Sequence, residues 1–190
     1  MHEAALFAAC GFLLLGFSDL AVDIIWILRT IWRRETVYRR FDRACADSLA
    51  APATPGAMAV FVPAWDESDV IGEMLRDALR SFGEADYRIY VGCYPNDPLT
   101  IAAVRAVRDP HVRLVIGPVP GGTTKADCLN RIWEAMIEDE RSDGRRFKAI
   151  VLHDAEDVVD PAELKIFDLL IERFALVQIP VLPYLDRGSR

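Results

Sequence analysis

Residues 57–64 read AMAVFVPA, an unbroken apolar run, and residues 65–67 after it read WDE. A run of this length that stops at polar residues is the pattern of a strand buried on both faces of a sheet. Working outward, the downstream sequence alternates between two periods. Residues 68–82 have helical spacing, with Val70, Ile71, Met74, Leu75, Ala78 and Leu79 on one side. YRIYVGC (87–93) is a second strand, YPNDP (94–98) a turn, and residues 99–107 a helix. HVRLVIG (111–117) is a third strand, followed by the loop PVPGG (118–122) and a helix over 125–138. FKAIVLH (147–153) is a fourth strand that runs into the acidic segment DAEDVVD (154–160). Residues 161–174 form another helix with Pro161 in its first turn, and LVQIPVLP (176–183) is expected to be a fifth strand. Strands alternating with helices predict an α/β fold with a parallel sheet and right-handed crossovers.

Upstream, the pattern is different. Residues 46–56, ADSLAAPATPG, are small and proline-containing and read as linker. Residues 4–32 form an apolar stretch long enough to cross a bilayer as a helix, interrupted by Asp19 and Asp23 and with Arg29 near its end. The two aspartates are four apart and share one helix face, which suits a helix whose polar stripe meets another helix or a cavity. Arg33, Arg34, Arg39, Arg40 and Arg43 follow the stretch, while only His2 and Glu3 precede it among charged or titratable residues, so the C-terminal side is expected in the cytoplasm. A cleaved signal peptide fits poorly, because a basic start and a small-residue cleavage site are both missing. The expected organisation is a transmembrane helix with a basic flank over 1–34, a linker over 35–56, and a globular domain over 57–190.

Composition excludes several classes. Of 190 residues, 22 are Lys or Arg and 29 are Asp or Glu, for a net charge of −7. That balance lacks the basic footprint of a nucleic-acid binder, so no nucleic-acid partner is expected. The chain is 52% hydrophobic and 27% charged, which excludes disorder. Cys10, Cys45, Cys93 and Cys128 are far apart, with no CxxC spacing, which excludes a zinc finger and a dense disulfide framework.

In open α/β sheets a ligand sits at the carboxyl ends of the strands. Those ends carry Pro63-Ala64-Trp65-Asp66-Glu67, Tyr94-Pro95-Asn96-Asp97, Gly121-Gly122-Thr123-Thr124-Lys125 and His153-Asp154-Ala155-Glu156-Asp157. Carboxylates thus gather on one edge together with one lysine. Clustered carboxylates repel unless a cation sits between them, and Mg²⁺ or Mn²⁺ takes oxygen ligands while bridging to phosphates. The lysine and a helix N-terminus add positive potential for phosphate oxygens. The reading is a metal–diphosphate site. Taken singly, Asp66, Glu67 and Asp97 also read as caps or turn residues, Asp160 as the cap of the helix after it, and His153 as a core residue at a strand end. GGTTK (121–125) lacks P-loop spacing, and a GxGxxG fingerprint is absent.

VPAWDE (62–67), TTKADCLN (123–130) and VLHDAEDVVDPAEL (151–164) resemble, in order and spacing, the motifs of family 2 glycosyltransferases. The resemblance covers residues 58–183 and implies the nucleotide-binding half of a GT-A, Rossmann-like domain. It implies a nucleotide-sugar pocket shaped by Pro63, Ala64, Asp66, Glu67, Tyr94, Asn96 and Asp97, with Lys125 approaching the diphosphate. The D-x-D motif falls on Asp154-Ala155-Glu156, with Asp157 one place further, and these three are the implied ligands of a divalent cation, Mg²⁺ or Mn²⁺. The implied reaction is inverting sugar transfer from a nucleotide-diphosphate sugar to a glycan acceptor. The implied setting is exopolysaccharide synthesis or export at the bacterial inner membrane, with the globular part cytoplasmic and an outer-membrane export or receptor partner.

Two departures stand out. The family aspartate that contacts the nucleobase is replaced around Gly92 and Cys93. The family's general base and Q-x-x-R-W segment belong further along than this sequence runs, so no residue here is assigned as base. The 190 residues alone are expected to lack turnover, and LDRGSR (185–190) suggests a truncated reading frame. The alternatives are a metal–nucleotide-binding regulatory protein and a membrane interaction module without catalysis.

Overall fold

A computed structural model of the chain describes residues 2–42, 45–121 and 123–181. Arg43, Gly122 and the 182–190 end therefore lie outside the described residues. The chain divides into two compact units, residues 1–48 and 49–190. The first is built on helix α1 (His2–Thr36), whose 35 residues span about 52 Å. Nothing in its most apolar window is buried, and it is long and apolar enough to cross a membrane. At its C-terminal end, the Arg33 guanidinium lies 5.6 Å from the Tyr38 ring centroid, and Glu35 pairs with Arg39 at 2.6 Å. A short 3₁₀ turn (Ala46–Ser48) follows.

Over its described residues the second unit holds a four-stranded parallel sheet in the order β3-β2-β1-β4, with β1 Ala57–Pro63, β2 Tyr87–Cys93, β3 Val112–Ile116 and β4 Phe147–Leu152. The helices are α2 (Ile71–Phe82), α3 (Pro98–Val107), α4 (Lys125–Asp143) and α5 (Glu163–Leu170). Strand side chains alternate between two faces. Met58, Val60 and Val62 pack with Ile71, Leu75, Ile101 and Leu164 of α2, α3 and α5. Ala59, Phe61 and Tyr90 pack on the other face against Cys128, Ile132 and Met136 of α4. Being central and covered twice, β1 has to be apolar throughout.

Element ends follow from capping. Asp97 accepts the Thr100 N–H and Pro98 follows at the first helical position, which starts α3. Thr124 accepts the Asp127 N–H and starts α4. That helix continues beyond residue 138 to Asp143, because Gly144 at φ 65 is its left-handed stop and Arg88 of β2 holds Asp139 and Asp143 in the last turns at 3.1 and 2.9 Å.

The expected fifth strand is corrected. Residues 176–181 pair with no strand, and Leu176 and Val181 are 85% and 83% exposed. Pro180 has no N–H to give to a ladder and weakens pairing inside the run, so apolar composition alone does not make it a strand. The helix before it is also shorter than expected, ending at Leu170 and continuing only as a turn.

The end of the proline-rich segment is held to the domain by a clasp of ions. Glu172 accepts N–H bonds from Ala53 and Thr54 at 3.1 and 2.8 Å. Lys148 donates to the Thr54 carbonyl at 2.6 Å and pairs with Asp168 and Glu172. The Thr54 N–H, then Lys148, hold the Glu172 carboxyl down at about 2. An unfolded glutamate titrates near 4.3. Because the folded value is the lower one, the contribution of Glu172 is full above about pH 4.5 and is lost as the pH falls towards 2. Urea midpoints of the wild type and Glu172→Gln should therefore differ at pH 7 and converge between about pH 4.5 and 2. A gap that widens in acid would contradict this assignment.

Candidate functional site

The carboxyl ends of β1, β2 and β4 and the start of α4 surround an open cavity of about 360 Å³. That is within the usual size of a small-molecule site, roughly 300–1,000 Å³. Ala64, Trp65 and Tyr94 form its apolar part, and Glu67, Thr123, Lys125, Asp154 and Glu156 its polar part. Pro63, Ala155 and Cys128 complete the lining. Of the residues expected to form the site, Pro63, Ala64, Glu67, Tyr94, Lys125, Asp154 and Glu156 converge here.

Asp66, Asn96, Asp97 and Asp157 do not line it and instead tie the loops that do. Asp66 stands at φ 60, a left-handed conformation that turns the chain between Trp65 and Glu67. Its N–H donates to Asp97 Oδ2 at 2.7 Å, and the Glu67 N–H donates to Thr100 Oγ1 at 3.0 Å. Burial works against the Asp97 carboxylate, but the Asp66 N–H and Thr100 outweigh it and leave its pKa lowered. Asp97 thus joins the loop after β1 to the start of α3. Asn96 Oδ1 accepts the Gly121 N–H at 2.6 Å, and Thr123 Oγ1 donates to the Tyr94 hydroxyl at 3.0 Å. These two bonds fasten the loop before α4 onto the end of β2.

Trp65, Thr123, Cys128 and Ala155 were not singled out from sequence. Trp65 meets Tyr94 edge to face at 4.9 Å between ring centroids. A Cβ on Gly121 would stand 1.8 Å from Trp65 Cζ3, so the indole occupies the space that glycine leaves. The legible signal was the pairing of a loop tryptophan with a glycine-rich loop. Gly92 faces α4 rather than this cavity, whereas Cys93 packs on the other face with Ile71 and Ile101, and burial, followed by Asp97 and Cys128, pushes its thiol up to about 12, where it is inert.

The field in the cavity is negative. Burial, then Glu156, Asp66, Asp154 and Asp97, raise the Glu67 pKa. Lys125 Nζ answers this charge by pairing with Asp154, both side chains being more than half exposed. Among the described residues no three acidic, histidine or cysteine side chains form a ready-made ligand set. Asp154 and Glu156 are the type of donor set with which Mg²⁺ binds, one or two carboxylates completed by substrate phosphates. The residues present therefore fit a hard divalent cation that takes its other ligands from a diphosphate.

Asp154 and Glu156 sit on a turn after β4. The Asp157 N–H donates to the Asp154 carbonyl at 3.2 Å, and Asp157 Oδ2 accepts the Asp154 N–H at 2.9 Å. The same Oδ2 faces His153 Nδ1 at 3.1 Å, and His153 Nε2 faces Glu163 Oε1 at 2.7 Å. Burial lowers the His153 pKa, but Glu163 and Asp157 more than compensate and leave it raised. His153 is thus half-buried just past a strand end, in an ionic network rather than an apolar core. Asp160 accepts the Ala162 N–H at 2.8 Å and caps the turn in front of α5, whose own N-cap is Ala162.

Comparison with known proteins agrees with this geometry. Residues 55–188 match the family described as "Glycosyltransferase like family 2". The chain is similar to "Bacteriophage adsorption protein B" of Escherichia coli (strain K12), at 43% identity over 171 residues. It is similar to the same degree to "Bacteriophage N4 adsorption protein B" of Escherichia coli O157:H7. In both cases the match covers 89% of this chain and 23% of the relative, so the chain spans under a quarter of the relatives' length. A parallel α/β sheet with carboxylates and a lysine at its carboxyl edge, and a family match over that whole unit, lead to one assignment: the chain belongs to glycosyltransferase family 2.

Proposed function

We propose that this chain forms the donor site of a membrane-bound glycosyltransferase, binding a nucleotide-diphosphate sugar with a divalent cation for inverting transfer to a glycan acceptor. The observation that carries the reading is the convergence of Glu67, Lys125, Asp154 and Glu156 on one cavity at the carboxyl edge of the sheet. Family membership implies a nucleotide sugar and an acceptor, and members of the family commonly use divalent cations. Asp154 and Glu156 hold the cation, which when bound supplies neutralisation of charge on the leaving diphosphate. Lys125, at the first turn of α4, turns its ammonium from Asp154 to the phosphate oxygens as a second source of positive charge. Trp65, Tyr94, Pro63, Ala64 and Glu67 shape the nucleoside side of the pocket. Asp66, Asn96 and Asp97 hold the loops at the spacing the ligand needs.

The reading extends to the cell. Residues 1–34 are the membrane helix and its basic flank, 35–56 the linker, and 57–190 the nucleotide-binding part of a GT-A domain. The length and apolar surface of α1, with the arginines after it, support an inner-membrane location with the globular part cytoplasmic. The proposed role is in making or exporting a surface polysaccharide, with an outer-membrane export or receptor partner; what supports it is the glycosyltransferase family together with similarity to a protein named for bacteriophage adsorption.

Calorimetric titration of the full chain with UDP or GDP, with and without Mn²⁺, tests the site. Much tighter binding with the cation than without it is expected. Nucleotide binding indifferent to the cation, or none with either nucleotide, would remove the reading.

A further inference from the structure

The turn that presents Asp154 and Glu156 has little holding its amides in place apart from Asp157. Ala155 is buried at 2% exposure, which pins the middle of the turn to the core, and the amides of Asp154 and Asp157 flank it. Their orientation depends on Asp157 Oδ2, which accepts the Asp154 N–H, and on the backbone bond from the Asp157 N–H back to the Asp154 carbonyl. Asp157 Oδ2 is in turn in contact with His153 Nδ1. The opposite edge of that ring meets Glu163, whose side chain is only 4% exposed and whose N–H is bonded to the Asp160 carbonyl at the start of α5. A continuous line of contacts thus runs from a buried carboxylate on α5, through the imidazole, to the amide of Asp154. The main-chain N–H of His153 bonds the Phe61 carbonyl at 3.0 Å, extending the β1–β4 ladder and keeping the ring at the sheet edge.

We propose that His153 is a positioning residue for the cation-binding turn: through Nδ1 it holds Asp157 over the Asp154 amide, and through Nε2 it anchors that arrangement on Glu163. His153 touches neither the cavity nor the ligand. The inference rests on the donor-site reading for its consequence, because the turn matters only if Asp154 and Glu156 bind the cation.

The two ring nitrogens can be separated by substitution. His153→Asn places an amide nitrogen where Nδ1 stands and keeps the bond to Asp157. His153→Gln places one where Nε2 stands and keeps the bond to Glu163. In the full chain, amide hydrogen exchange over residues 154–157 should accelerate about tenfold in His153→Gln, as for loss of one charge-assisted bond, and stay within about threefold of wild type in His153→Asn. The dissociation constant for UDP with Mn²⁺ should follow the same order, weaker by about tenfold in His153→Gln and little changed in His153→Asn. Thermal stability should move the opposite way, because His153→Asn leaves the more deeply buried Glu163 without its partner. A purely structural role would make affinity follow thermal stability, with His153→Asn the worse variant in both, and that result would overturn the proposal. Equal exchange rates in both variants would overturn it too. If the wild type binds no Mn²⁺–UDP, the donor-site reading fails, while the exchange comparison still decides whether His153 holds the turn.

Discussion

Asp154→Asn should weaken Mn²⁺-dependent UDP binding by at least about a hundredfold while the fold stays intact. Changes to groups that only orient a metal's ligands already cost about 10–100-fold in affinity, and Asp154 is proposed as a direct ligand. Its removal costs little stability for a separate reason. Its only ion-pair partner among the described residues is Lys125, with side-chain exposures of 52% and 60%. A pair so open to water contributes about 0–1 kcal/mol. The variant also makes a sharper test than loss of binding alone. Without Asp154, Lys125 is released towards the phosphates, so UDP binding measured without cation should be unchanged or tighter. Lys125→Met should instead lose affinity both with and without Mn²⁺. Calorimetry of the three proteins under both conditions, with melting curves beside it, separates these outcomes. Wild-type affinity in Asp154→Asn with Mn²⁺ present would exclude Asp154 as a ligand.

The second large effect is expected at Gly92→Ala, in the middle of the molecule. A Cβ there would stand 2.5 Å from Cys128 Sγ and 2.8 Å from Ile132 Cδ1, both on α4. Real Cβ atoms do not approach so closely, so α4 has to move off the sheet or the two side chains have to leave their packing. Overpacking of this kind costs about 1–3 kcal/mol, a large share of a domain stability of about 5–15 kcal/mol. Gly92→Val should cost more again. Because α4 begins at Lys125, the same displacement should also weaken nucleotide binding. Adding Cys128→Ala to Gly92→Ala should restore part of the stability by removing the nearer contact, with Ile132 still opposing full recovery. Denaturant midpoints of the two single variants and the pair give the coupling. An unchanged midpoint in Gly92→Ala would mean that α4 is not packed on β2 as described.

Much of this arrangement could be read before the fold was known, and the exceptions have physical causes. The runs at 57–63, 87–93 and 147–152 are strands whose apolar residues pack beneath the helices, and β1, central and covered on both faces, is apolar throughout, while Arg88 of β2 and Lys148 of the edge strand β4 are held in ion pairs. LVQIPVLP is also apolar and is not a strand over its described residues: Pro180 falls inside the run and withholds a ladder N–H there, whereas Pro63 only closes β1. The fourth helix was expected to stop near residue 138, but Arg88 lies far away in sequence and its pairing with Asp139 and Asp143 carries the helix on to Gly144. The sequence places Trp65 at the end of β1, but its seat against Gly121 is a contact across 56 residues that only the fold brings about.

The sequence by itself determined the order of strands and helices, the family, and the edge on which Glu67, Lys125, Asp154 and Glu156 would meet. Periodicity and strand direction are local properties, and the carboxyl ends of parallel strands must share an edge. Tertiary structure alone decided how the acidic residues divide their tasks. Asp97 faces two backbone N–H donors, and Asp157 faces another together with the ring of His153. Asp154 and Glu156 face the cavity. All four are carboxylates at strand ends, alike in sequence. Which of them is available to a cation depends on the donors that surround each one, and distant segments bring those donors only when the chain has folded.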